Sequence, residues 1–235
     1  MKNINYHPGL IILLTISVLF FCIQASLAQS GNVPKEGSIK LITQSVSQQQ
    51  TGKLLYADSL GFRKISNFPA SSDANITKYF KNGRYHIGVI REGYSAWSFA
   101  VKNFTDFVLS VNATQEMGPE DNDYGVVTRW KDAGNYSLFL ISGDGFYSYA
   151  KRENNAWVVP VNWTRSSAIN TGNTMNNIEV VSNGNNLTFY TNGAKLGDYV
   201  DSKPVSGDVG LWVETITGGN VTIGFDGLKV WEFKG

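Results

Sequence analysis

The sequence predicts an all-β fold, a two-sheet antiparallel jelly-roll β-sandwich, on three observations. Beyond residue 53 the chain is a succession of short runs rich in β-branched and aromatic residues. Clusters of Gly, Asn and Asp separate the runs. No segment sustains the i, i+3, i+4, i+7 apolar spacing of an amphipathic helix for three turns.

Taken in order, the chain opens on Lys2, an uncharged apolar run from Leu10 to Ile23, and the small residues Ser26 and Ala28. A basic start, an apolar core short of the ~20 residues that span a bilayer, and a small-residue end predict a secretory signal peptide over 1–28, cleaved after Ala28. Residues 29–53 are polar, with Pro34 and a Gln run, and read as a linker with one short strand at 39–43. The folded domain is expected over 54–235, with strands at 83–90, 104–115, 124–130, 136–142, 146–152, 156–161, 177–182, 186–191, 208–215 and 221–233. About ten strands joined by polar turns suit a sandwich better than an open sheet. The pairs Asn183-Gly184 and Asn192-Gly193 flank the run 186–191 and mark hairpin ends.

Alternation assigns the faces. In the run from Phe104, Phe107, Leu109 and Val111 share one side, while Asp106, Val108, Ser110 and Asn112 share the other: a core face and a wetter face. The run 136–142 is apolar on both sides. That strand is expected to be central, covered twice or lining a groove with its second face.

Composition excludes several functions. With Lys2 removed, basic and acidic side chains balance, and no basic stripe offers a footprint for phosphate backbones, so no nucleic-acid partner is expected. Signal cleavage also removes His7 and Cys22, the only cysteine, and leaves His86 alone. The mature chain then forms no internal disulfide, holds no Cys nucleophile and builds no His/Cys zinc site. His86 reads as an ordinary strand histidine, on the same side as Gly88 and Ile90. Sequons from Asn75 to Asn220 permit surface glycosylation.

The series from Asp123 to Trp163, the segment 169–198, then GDVGLW and FDGLKVW, resembles the concanavalin A-like lectin/glucanase superfamily, near the secreted domains similar to 3-keto-disaccharide hydrolases. The resemblance spans roughly residues 54–235. It is carried by the spacing of Arg129, Asp144-Gly145, Trp157, Trp163, Asn192-Gly193, Gly207, Gly210 and Phe225-Asp226. It implies a jelly-roll sandwich whose concave sheet, in many relatives, holds a carbohydrate.

Glycoside hydrolysis needs two carboxyl groups flanking the scissile bond. The glucanases of that superfamily place theirs on one strand as Glu-x-Asp-x-x-Glu, and no Glu of this chain, among them Glu116, Glu120, Glu153, Glu179 and Glu214, begins such a motif. The cluster Glu120, Asp121 and Asp123 reads as a solvated turn before a strand. A non-catalytic glycan-binding or cell-surface module, secreted or held outside the cell, is therefore the leading expectation, with no cofactor and no membrane embedding after signal cleavage. The alternatives are a secreted hydrolase of the keto-disaccharide type and a structural or protein-interaction domain.

Sugar binding asks for flat rings against C–H faces and polar groups beside them. Arg129, Tyr147, Tyr149, Trp157, Trp163 and Trp212 are the candidate carbohydrate-binding residues, although period two prevents all from sharing a face. Arg129 interrupts an apolar strand, so its guanidinium must find acceptors, either a structural carboxylate or ligand hydroxyls. Asp58 and Asp226 stand where terminal strands pair in relatives. They either hold a structural calcium with help from backbone carbonyls or cap turns.

Overall fold

A computed structural model describes residues 50–202 and 205–235, all within the compact unit Ile42–Gly235. The signal peptide, most of the linker and the expected strand at 39–43 lie outside the described residues. Two antiparallel sheets stack as a jelly-roll sandwich. The larger sheet holds β1 (Thr51–Asp58), β2 (Ser71–Ser72), β3 (Ile76–Lys81), β4 (Arg84–Val89), β6 (Phe107–Met117), β11 (Asn176–Asn183), β12 (Asn186–Thr191), β13 (Ala194–Val200) and β15 (Val221–Phe233). The smaller one holds β5 (Ser95–Phe104), β7 (Asn122–Asp132), β8 (Asn135–Ile141), β9 (Phe146–Glu153), β10 (Ala156–Arg165) and β14 (Gly207–Thr215). Their orders are β13-β12-β11-β6-β15-β4-β3-β2, with β1 also on β15, and β10-β9-β8-β7-β14-β5.

Within the described residues, every run expected as a strand forms one. The sequence did not single out β1, β2, β3, β5 and β13 as strands. The missed strands lie at or near sheet edges, where one side of the backbone meets solvent and side chains lose their alternation. In β13, Lys195, Gly197 and Asp198 dilute the pattern.

The turns follow their chemistry. Asn192 and Gly193 both take positive φ (53° and 79°) between the paired residues Thr191 and Ala194, the backbone of a type I′ turn. At the other Asn-Gly pair, Asn183 is still in the ladder opposite Asn186 and Gly184 alone adopts positive φ.

Between the sheets, Leu109 and Val111 of β6, Val180 of β11 and Phe225 of β15 meet Val126 of β7, Phe139 of β8 and Leu211 of β14. Phe107, Leu109 and Val111 do form the core face of β6, but Val108 on the opposite side is also buried, under Tyr190 and Trp231. As its double apolar pattern requires, β8 sits inside the smaller sheet: Phe139 and Ile141 point inward, while Leu138 and Leu140 belong to a second apolar cluster on the outer face.

Candidate functional site

Strict alternation along β7 would send Val127 and Arg129 to the outer face and Thr128 and Trp130 inward. A bulge intervenes. The ladder to β8 shifts register between Thr128 and Asp132, and Arg129 takes a φ of 56°. The bulge reverses the last positions, so Arg129 turns inward and Trp130 joins the outer cluster. Gly207 makes room for it, because a Cβ there would sit 2.4 Å from the Arg129 carbonyl carbon.

Arg129 is 2 % exposed. Its Nη1 donates to Asp201 Oδ2 at 2.9 Å and its Nη2 to Ser182 Oγ and the Gly184 carbonyl. The other oxygen of Asp201 accepts from Lys151 Nζ at 2.8 Å. The acceptor is thus a carboxylate of the protein, and a three-residue ion network crosses between the sheets. Tyr147 and Tyr149 also face inward: Tyr147 donates its hydroxyl to the Leu196 carbonyl, and Tyr149 packs on Phe189 and Tyr199. Burial raises the pKa of the Tyr149 phenol well above its ordinary value.

The three candidate tryptophans lie elsewhere, on the outer face of the smaller sheet. Trp157 and Trp163 of β10 and Trp212 of β14 share that face with Trp97, Phe99, Trp130 and Tyr136. Trp212 stacks on its cross-strand partner Trp97 at 5.5 Å and 10°, Trp130 stacks on Tyr136 at 4.8 Å, and Tyr136 meets Trp157 edge-on. Gly210 allows Phe99 to lie flat, since a Cβ there would meet the ring at 2.6 Å. Trp212 and Tyr136 form the floor. Trp97 and Trp157, 38 % and 44 % exposed, present ring surface to solvent.

Polar groups border the rings. Register places Glu214 of β14 directly opposite Asp123 of β7, one outer-facing position beyond the Trp212–Trp97 pair. Asp123 was expected in a solvated turn together with Glu120 and Asp121; it is instead a buried strand residue. At the other end, the Arg152 guanidinium lies 5.1 Å from the Trp157 ring centroid. Beside Tyr136 a cavity of about 310 Å³ opens, lined in part by Arg129, Lys131, Lys151, Arg152 and Asp201. The residues missed by sequence reasoning are Trp97, Phe99, Trp130, Tyr136, Asp123 and Glu214. Only the pairing of β8, β7, β14 and β5 reveals their common face.

The two aspartates considered for calcium have protein partners. Asp58 accepts from Tyr56 Oη, Ser66 Oγ and the backbone N–H groups of Leu60 and Asn67, which caps the turn after β1. Asp226 accepts from Asn112 Nδ2 at 2.8 Å and faces Arg84 Nε at 3.3 Å, on the outer side of the larger sheet. His86 lies on that side as well, stacked on Tyr79 and 3.1 Å from Glu116. No group of three or more His, Cys, Asp or Glu suited to a metal occurs among the described residues.

No known protein family and no curated protein matches the chain. Solved structures do. The chain is similar to the carbohydrate binding module CBM66 from Bacillus subtilis, with a TM-score of 0.57 and 19% identity over 71% of this chain and 98% of that one. A Bacillus subtilis protein with a galectin-like fold gives 0.62 at 9% identity, covering 79% and 99%. The fold is the concanavalin A-like jelly roll. The Bacillus licheniformis beta-glucanase shares it, at a TM-score of 0.57 and 10% identity over 78% of this chain and 100% of that one. At such identities the likeness shows the fold alone.

Proposed function

We propose that the protein is a secreted, non-catalytic module that binds polysaccharide or glycoconjugate on the outer face of its six-stranded sheet. The observation that carries this reading is the continuous ring surface there, with Trp97 and Trp157 open to solvent above a floor of Trp212 and Tyr136. Flat rings bordered by carboxylate and guanidinium groups match the apolar C–H faces and peripheral hydroxyls of sugars. The carbohydrate binding module and the glucanase among the structural neighbours support it, and export is suggested by residues 1–28. Of the sequence candidates, Trp157, Trp163 and Trp212 remain on this face, whereas Arg129, Tyr147 and Tyr149 support it from within.

The test is a glycan array followed by calorimetry on the best ligand. Trp157→Ala and Trp97→Ala should each weaken binding by ~2 kcal/mol or more while leaving the melting temperature nearly unchanged. Retained affinity in both variants would remove the face from consideration. A second reading, glycoside hydrolysis, is favoured by one observation, the cross-strand pair Asp123 and Glu214 beside the rings. Release of sugar from polysaccharides or keto-disaccharides that Glu214→Gln abolishes would establish it in place of simple binding.

A further inference from the structure

Cations predominate in the wall of the cavity next to the rings: Arg129, Lys131, Lys151 and Arg152 stand against Glu153 and Asp201. Asp201 is shared by Arg129 and Lys151, and Glu153 pairs with Lys151. Burial works against the Lys151 charge, but its bonds to Asp201 and Glu153 outweigh that and raise its pKa, so the ammonium persists at neutral pH. Both acids of the wall are thereby engaged, and neither makes an ion pair with Lys131 or Arg152. Arg129 is held in the interior by Asp201, Ser182 and the Gly184 carbonyl, which leaves Lys131 and Arg152 as the cations of the wall that the two acids do not engage. Guanidinium and ammonium groups left without a carboxylate partner beside a cleft suit an incoming anion.

The cavity borders the ring surface. Tyr136 belongs to both, and Arg152 lines the cavity while its guanidinium lies over Trp157. Its volume of about 310 Å³ falls at the lower end of ligand clefts. We propose that the site takes saccharides bearing an anionic substituent, a carboxylate or a sulfate ester. The sugar ring lies on Trp157, Tyr136 and Trp130, and the anion enters the cavity toward Lys131 and Arg152. This rests on the glycan-binding reading above and adds the class of ligand.

The experiment is calorimetry of the purified protein against polygalacturonate, dextran sulfate, neutral galactan, neutral dextran and the sugar-free polyanion polyglutamate, at low and high salt. An acidic polysaccharide should bind roughly tenfold tighter than its neutral counterpart, with the gap narrowing as salt rises. Polygalacturonate against dextran sulfate decides between carboxylate and sulfate. The double variant Lys131→Gln/Arg152→Gln should close the gap without lowering the melting temperature. Equal affinity for acidic and neutral polymers, equally tight binding of polyglutamate, or a gap that survives the double substitution would overturn the proposal. Binding to neutral polymers alone overturns it and leaves glycan recognition standing, whereas binding to none removes both.

Discussion

Arg129 shows how one bulge divides a framework residue from a ligand face. Its guanidinium holds Asp201, Ser182 and the Gly184 carbonyl together in the interior. Arg129→Ala leaves Asp201 with Lys151 as its remaining cation, and the domain should lose about 3–5 kcal/mol in urea unfolding, the usual penalty for breaking a buried pair. An unchanged unfolding midpoint would show that the network adds nothing. That this arginine needed acceptors was legible, because apolar residues surround it in the sequence. Its partner was not, since Asp201 lies 72 residues away and only the close approach of Gly207 accommodates the turn at residue 129. Asp58 teaches the same lesson, for its four donors come from side chains and backbone of a local turn that no spacing rule singles out.

At the level of elements, the outer face of the smaller sheet combines rings of two kinds. Trp212, on an interior strand, is 2 % exposed and roofs Leu138 and Leu140 together with its neighbours. Trp157 lies on the edge strand β10, which tolerates Pro160 and two register shifts because one side of it is free. Trp212→Ala should therefore cost about 3–5 kcal/mol of stability, and Trp157→Ala less than about 1 kcal/mol, read by thermal unfolding. Equal losses would mean that the edge ring is as structural as the interior one. Sequence patterning found the interior strands because their apolar alternation is strong. It could not group Trp97, Trp130 and Trp212, whose shared face depends on β14 lying between β5 and β7, strands distant along the chain.

For the whole molecule, the tyrosines of the interlayer set a limit at high pH. Burial pushes Tyr85 and Tyr124 up to about 12 from an ordinary 10.0. The folded protein keeps phenolic protons that the unfolded chain releases, so stability is complete below pH 10 and falls as pH rises toward 12, by ~1–2 kcal/mol for each by about pH 11.5. Urea midpoints across that range check it, and a flat profile would refute it. A different consequence follows from the place of β15. It is the last strand of the sandwich in chain order, yet it lies inside the larger sheet, with β6 along one side and β4 and then β1 along the other. While a ribosome is still making the protein, β4 and β6 have all been produced and wait with unpaired margins for the strand that joins them. The larger sheet closes only when Val221–Phe233 emerges, so a nascent chain stalled before that point exposes two open strand borders, the form in which β proteins recruit one another into aggregates.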